Sequence, residues 1–173
     1  MKKALIVIGF ILFVVVLFLT LAEKPHPKIV LLGNTAQKPV DFFPKAYQCS
    51  ECKMPIESKK FSGEVIAADG KTWFFDDVGC LGRWLAGQDF RESATVWVYT
   101  IDTKRWVDGR KAHYGVFENT PMGYGFGAYE HQGEGMIDFE TMVERMVRGE
   151  NLTNRHYAKK LAESVQKRSL GSD

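Results

Sequence analysis

The pattern of apolar and polar positions divides the chain into an apolar start and a mixed body. Ala4 to Ala22 is a run of nineteen residues without a charge, which predicts one helix of about 28 Å. Between Phe61 and Ile101 the pattern predicts two strands joined by a hairpin turn at Asp69-Gly70, then a helix and a long strand. The order of elements in this part of the body is therefore ββαβ.

The helix of this ββαβ unit has recognisable ends. Asp76 or Asp77 is suited to the N-cap, because an aspartate carboxylate accepts a hydrogen bond from a free backbone amide there. Gly87 is suited to the C-terminal end. Between them, one apolar stripe at helical spacing is formed by Val78, Leu81, Trp84 and Leu85.

Part of the pattern recurs 62 residues later. Asp138 resembles an N-cap, Gly149 follows the predicted second helix, and an apolar stripe lies between them. Ala112 to Phe117 and Gly125 to Glu130 are predicted strands before that helix. The fold class predicted is α+β, with two tandem small ββαβ-type units behind an N-terminal transmembrane helix.

These elements give five regions. They are a transmembrane anchor (1–22), a Pro-rich tether (23–46), a first ββαβ unit (47–108), a second ββα-type unit (109–150), and a C-terminal helix and tail (151–173). Four of the six prolines lie in the tether, which predicts a semi-extended segment. Within it, residues 28–32 can pair as a strand or lie against the body.

The apolar run also predicts a location. Its length is close to the thickness of a bilayer's hydrocarbon layer, and Lys2 and Lys3 before it favour a cytoplasmic N-terminus. An anchor is preferred to a cleaved signal peptide, whose apolar stretch is usually shorter. The prediction is an inner-membrane protein with a periplasmic globular domain.

Composition and charge exclude several classes of protein. The 173 residues carry a formal net charge of +2, and Lys2 and Lys3 account for this surplus. A body without net charge disfavours nucleic-acid partners. Three cysteines cannot form a disulfide scaffold. The sequence contains no P-loop, dinucleotide fingerprint or Ser–His–Asp set, and we expect no enzymatic activity.

The chemically distinctive stretch is Cys49-Ser50-Glu51-Cys52-Lys53-Met54. Two thiolates and a thioether form a soft donor set, which favours Cu(I), and methionine is a poor zinc ligand. The Cys-x-x-Cys spacing alone is also compatible with a redox pair, a structural disulfide or zinc. A thioredoxin-type pair usually opens a helix, and Met54-Pro55 disfavours a helix that starts at Cys52.

Other residues have two interpretations each. Met122, in a Pro-Met-Gly turn, is either a presented sulfur ligand or a core residue. Cys80 is either a small buried residue or a thiol whose pKa the helix dipole lowers. Asp76-Asp77 is either a capping pair or a pair of carboxylates for acid–base chemistry. His113 and His131 are possible further ligands or solvated residues.

Together these motifs resemble the NosL-type accessory copper chaperones of nitrous oxide reductase. The matching blocks cover about residues 47–150 in the family's order. They are Cys49-x-x-Cys52-x-Met54, Phe74-Phe75-Asp76-Asp77-x-Gly79-Cys80, Trp106-Val107-Asp108, Ala112-His113-Tyr114 and Thr120-Pro121-Met122-Gly123-Tyr124-Gly125. Family members typically carry an acylated N-terminal cysteine, and the present chain departs from the family there.

The resemblance implies a Cu(I) carrier in denitrification with Cys49, Cys52, Met54 and Met122 as metal ligands. It implies two partners: a membrane ABC-type transporter complex and apo nitrous oxide reductase. The alternative function is a periplasmic thiol–disulfide oxidoreductase using Cys49 and Cys52. A third possibility is a structural partner domain in which this pair is an oxidised staple.

Overall fold

Antiparallel pairing of short apolar strands builds the main sheet. The computed structural model describes residues 2–22 and 27–170. Its helices are α1 (Lys2–Ala22), α2 (Val78–Ala86), α3 (Phe139–Val147) and α4 (Arg155–Leu170). Its strands are β1 (Val30–Leu31), β2 (Gly63–Ile66), β3 (Thr72–Phe75), β4 (Thr95–Tyr99), β5 (Trp106–Asp108), β6 (His113–Gly115) and β7 (Gly127–Tyr129). The fold is α+β.

Strand β2 lies at the centre of a five-stranded sheet of order β1-β3-β2-β4-β5. The predicted hairpin at Asp69-Gly70 is confirmed, and Gly70 takes the positive φ of 81° that this turn requires. Strand β4 pairs with the other edge of β2, with Val65 opposite Val96. The order ββαβ predicted for this part of the chain is present.

Helix α2 packs against this sheet through its predicted stripe. Val78, Leu81 and Leu85 are fully buried. Gly63 of β2 permits the close approach, because a Cβ there would lie 2.4 Å from Leu81 Cδ1. Asp77 is the N-cap and Gly87 the C-cap, as the sequence predicts.

The second unit shares its core with the first. Strands β6 and β7 form a two-stranded sheet, and α3 packs against α2. Gly82 of α2 faces Met142 of α3, where a Cβ would lie 3.0 Å from the methionine sulfur. Asp138 caps α3 as predicted. In the described part of the chain, α4 follows α3 and no strand returns to the small sheet.

Residues 27–46 differ from the semi-extended tether expected there. β1 pairs with β3, which agrees with a strand within residues 28–32. Phe42 is only 5% exposed and packs with Tyr47 and Phe74 on the second face of the sheet. These residues therefore belong to the folded body. The first part of the predicted tether, 23–26, lies outside the described residues.

The predicted transmembrane anchor is wrong. In 2–22 and 27–170, no helix has the combination of length and apolarity needed to cross a membrane. Side chains of α1 are described without interruption over 6–20, where all are exposed. The absence of a spanning helix among the described residues also overturns the predicted inner-membrane location with a periplasmic domain.

Glu64 of β2 is a buried carboxyl group beneath residues 37–46. Its Oε2 atom accepts a hydrogen bond of 3.0 Å from the Val40 amide, and its Oε1 atom has no partner among the described residues. Burial is the main cause that raises the pKa of Glu64 from its ordinary value of 4.5 to about 8. Glu64 is therefore protonated in the folded protein at neutral pH.

We expect this proton to make stability depend on pH. The folded chain keeps the Glu64 proton up to about pH 8, whereas the unfolded chain releases it near pH 4.5. The associated stability is complete below pH 4.5 and is lost as the pH rises to 8, by up to about 1.4 kcal/mol per pH unit. Glu64→Gln should remove this slope.

Urea denaturation of both proteins between pH 5 and pH 8 measures the difference. Because the cysteines and histidines are the same in both proteins, their contributions cancel in the comparison. Equal pH slopes for the original protein and the variant would show that Glu64 is already ionised when folded.

Candidate metal centre

A tight turn carries the first two cysteines. The Cys49 amide donates to the Met54 carbonyl at 2.8 Å, and the Lys53 amide donates to the Cys49 carbonyl at 3.0 Å. Lys53 takes a positive φ of 66°, which closes the turn. Inside it, the Cys52 amide lies 3.5 Å from the Cys49 sulfur as a hydrogen-bond donor. We call residues 49–54 the cysteine turn.

The cysteine turn is attached to the end of β3. The Ser50 amide donates to the Phe74 carbonyl at 2.8 Å. Phe74 and Phe75 are fully buried, so this end of the strand is fixed in the core. Asp76 follows directly, and Cys80 is the third residue of α2. The turn therefore faces the junction between β3 and α2.

Four possible ligands meet at this junction. One ligand atom each from Cys49, Cys52, Asp76 and Cys80 lies within 4.8 Å of all the others. We call these four residues the thiol cluster. The Cys52 sulfur lies 3.4 Å from Asp76 Oδ1. Such a set of three sulfurs and one carboxylate oxygen can hold a metal ion.

Burial within the thiol cluster is uneven. Cys49 and Cys80 are fully buried, Asp76 is 4% exposed, and Cys52 is half-buried. None of the three cysteines forms a disulfide. Solvent therefore reaches the cluster from the side of Cys52.

The three thiols differ in acidity. A hydrogen bond from the Cys80 thiol lowers the pKa of Cys49. The same hydrogen bond, together with burial, raises the pKa of Cys80. Burial raises the pKa of Cys52 to about 12. Cys49 is therefore the most acidic of the three thiols, and an ion that binds all three sulfurs must displace their protons.

The two aspartates before α2 have separate roles. Asp77 Oδ1 accepts from the Gly79 amide at 2.8 Å as the N-cap, and Asp77 Oδ2 accepts from the Met122 amide at 3.1 Å. Asp76 instead contacts the Cys52 thiol. The capping interpretation is therefore correct for Asp77 alone. Burial raises the pKa of Asp77, although these hydrogen bonds favour its ionised form.

The two predicted methionine ligands differ in burial and in the contacts that hold them. Met54 ends the cysteine turn and is 41% exposed. Met122 is half-buried and packs against the same core as Cys52, with its amide fixed by Asp77. Both stay predicted ligands.

A second group of side chains joins the cysteine turn to α2 and the Met122 loop. Arg83 of α2 donates to Glu51 Oε1 at 2.6 Å, and its guanidinium lies 5.7 Å from the centre of the Tyr124 ring. Tyr124 also packs on Gly79, where a Cβ would lie 2.7 Å from the tyrosine ring. Glycine at position 79 therefore allows the loop to rest on the first turn of α2.

Sequence reasoning did not assign Cys80 and Asp76 to the metal site. Cys80 is buried as expected, but the alternative of a pKa lowered by the helix dipole is wrong, because its pKa is raised. The four-residue spacing of Asp76 and Cys80, about one helical turn, was a local sign that they could share a face. Their approach to Cys49 depends on the Ser50–Phe74 contact, which no local pattern indicates.

The two candidate histidines lie elsewhere. His113 is in β6, and His131 is exposed and lies 2.9 Å from Asp102. Neither belongs to the thiol cluster, which is the group found among the described residues that could hold a metal ion.

Comparison with protein-family models, with curated proteins and with solved structures gave no match. The fold and the site together define the chain as an α+β protein with a candidate metal centre of three cysteines and one aspartate.

We expect Asp77→Ala to destabilise the protein more than Asp138→Ala. Asp138 supplies only the N-cap of α3, through the Thr141 amide, and loss of such a cap costs about 1 kcal/mol. Asp77 caps α2 and also binds the Met122 amide, so its loss leaves a second partly buried donor unpaired, at about 1–3 kcal/mol more. Urea denaturation of the two variants measures the difference. Equal losses of free energy would show that the Asp77–Met122 hydrogen bond contributes nothing.

Proposed function

We propose that this protein binds Cu(I) at the thiol cluster and delivers it for the assembly of a copper enzyme. The observation that supports this most directly is the convergence of Cys49, Cys52 and Cys80 within 4.8 Å. Thiolates are soft ligands, and soft ligands select Cu(I) over ions that prefer oxygen.

The unequal burial of the cluster supports a carrier rather than permanent storage. Cys49 and Cys80 are enclosed by the core, whereas Cys52 is half-buried. A partner's ligand can therefore reach the ion next to Cys52 and replace the protein's sulfurs one at a time. Met54, two residues later in the cysteine turn and 41% exposed, is proposed as a neutral sulfur donor on this side of the cluster.

Met122 is proposed as the second neutral donor. Its loop is fixed to the first turn of α2 by Asp77 Oδ2, at 3.1 Å from the Met122 amide. Cys80 lies on that same turn. The two methionines would retain copper while a thiolate exchanges, without adding negative charge to the site.

The recipient is proposed from the resemblance to the NosL-type chaperones. On that basis the partners are an ABC-type transporter complex and apo nitrous oxide reductase. The blocks that carry the resemblance include all three cysteines of the thiol cluster and Asp76, which gives the resemblance a chemical meaning in this chain.

Anaerobic titration with Cu(I) against a coloured competing chelator tests the proposal. We expect one Cu(I) per chain. Loss of a residue that only supports a ligand typically weakens metal binding by up to about 100-fold. Loss of a ligand itself should cost at least as much, so Cys49→Ser and Cys80→Ser should each weaken Cu(I) binding by about 100-fold or more. Met54→Ala and Met122→Ala should weaken it less, by about tenfold.

Met136→Ala is the matched control for the methionines. Met136 lies in the turn before α3, where its sulfur accepts a hydrogen bond from the Gly133 amide. This variant should bind Cu(I) as the original protein does. Cysteine variants with undiminished affinity would refute copper binding at the thiol cluster.

A thiol–disulfide oxidoreductase is the second candidate function. The lowered pKa of Cys49 favours it, because a thiolate is the attacking species. The complete burial of Cys49 opposes it, because a substrate disulfide must reach that sulfur. We therefore expect no catalysis in an insulin-reduction assay with a dithiol reductant. Turnover that Cys49→Ser abolishes, together with Cu(I) affinity unchanged in the cysteine variants, would favour the enzyme.

A further inference from the structure

We propose that the thiol cluster also binds a divalent ion of the zinc class, with Asp76 as its fourth ligand, and that Asp76 is dispensable for Cu(I). This inference rests on the proposed metal-binding function of the same cysteines and adds a second class of ion. The residues of the cluster then divide into three sulfurs used by both ions and one oxygen used by the divalent ion alone.

The surroundings of Asp76 support a ligand role. Its neighbour Asp77 already binds two backbone amides. Asp76 is 4% exposed, and its carboxylate oxygen lies 3.4 Å from the Cys52 sulfur. Among the described residues it takes part in no ion pair, since Arg83 on the adjoining helix pairs with Glu51. A buried carboxylate without a cation is costly, and a metal ion would offset that cost.

The spacing of the four ligand atoms agrees with tetrahedral coordination. Zinc binds cysteine sulfur at about 2.3 Å, so two sulfurs of a tetrahedral site lie about 3.8 Å apart. The cluster atoms lie within 4.8 Å of one another, and the Cys52–Asp76 distance is 3.4 Å. Only small side-chain movements are needed to bring the four atoms around one ion.

The difference in charge between a divalent ion and Cu(I) gives the two ions different needs for Asp76. Three thiolates and one carboxylate carry four formal negative charges in a mostly buried site. A divalent ion neutralises two of them and accepts a hard oxygen ligand. Cu(I) neutralises one and prefers sulfur, so it gains little from the carboxylate. Removal of the Asp76 charge should therefore affect the divalent ion selectively.

The experiment compares the full-length protein with Asp76→Asn and with Asp138→Asn as a matched control. Asp138 lies 62 residues later, before α3, and its carboxylate accepts from the Thr141 amide. Zn²⁺ affinity is measured by competition with a chelator, and Co²⁺ absorption reports tetrahedral sulfur coordination. We expect Asp76→Asn to weaken Zn²⁺ binding by about 100-fold and Cu(I) binding by less than threefold. The Asp138 variant should change neither.

X-ray absorption of the original protein loaded with Zn²⁺ gives a test that needs no variant. We expect three sulfurs at about 2.3 Å and one oxygen at about 2.0–2.2 Å. Absence of zinc–sulfur scattering overturns the inference, even if Asp76→Asn fails to fold.

The outcomes separate this inference from the proposed function. Unchanged Zn²⁺ affinity in Asp76→Asn, or an equal loss for both ions, overturns the selective role of Asp76 and leaves copper binding standing. Selective loss of Zn²⁺ supports the inference. Zinc binding with three sulfurs in a protein that does not bind Cu(I) supports the divalent site and refutes the copper function.

Discussion

The hydrogen bond from the Ser50 amide to the Phe74 carbonyl is the contact on which the candidate site depends. It attaches a short turn, which has little core of its own, to the end of a strand that is fixed by complete burial of Phe74 and Phe75. Helix α2 starts shortly after this strand end. One backbone contact therefore brings the turn that carries Cys49 and Cys52 next to Asp76 and Cys80. Backbone geometry thus brings the four candidate ligands of the site together.

This arrangement places several ionisable groups close together in the core, where burying their charged forms is unfavourable. The core encloses two thiols completely, and a carboxylate 4% exposed lies beside the third. The raised pKa values of Cys52 and Cys80 keep these two thiols protonated at neutral pH and so limit that cost, whereas the pKa of Cys49 is lowered. A bound cation exchanges those protons for coordination bonds. Metal binding and proton release are therefore coupled in this fold.

Local patterns predicted the elements well and their assembly less well. The Asp69-Gly70 turn, the Asp77 cap and the α2 stripe depend on neighbouring residues, and all three are present. The packing of residues 27–46 over the sheet depends on distant partners such as Phe74 and Glu64, so proline content alone suggested a tether. Cys80 was missed as a ligand for the same reason. The apolar run at the start predicted a helix correctly, but among the described residues no helix meets the requirements for a membrane span.

If the protein is the proposed carrier, the position of Cys52 decides how the cluster can exchange an ion. A site in which every ligand is enclosed must open before it releases metal, whereas here one thiol of three is half-buried and adjoins exposed Met54. The enclosed pair is Cys49 in the cysteine turn and Cys80 in the first turn of α2, and both side chains pack in the main core. In the proposed carrier, retention and release therefore fall on different residues: the core encloses the sulfurs of Cys49 and Cys80, and the half-buried Cys52 presents the third. A change beside Cys52 would then alter the rate of transfer in such a carrier, while the enclosed sulfurs preserve affinity.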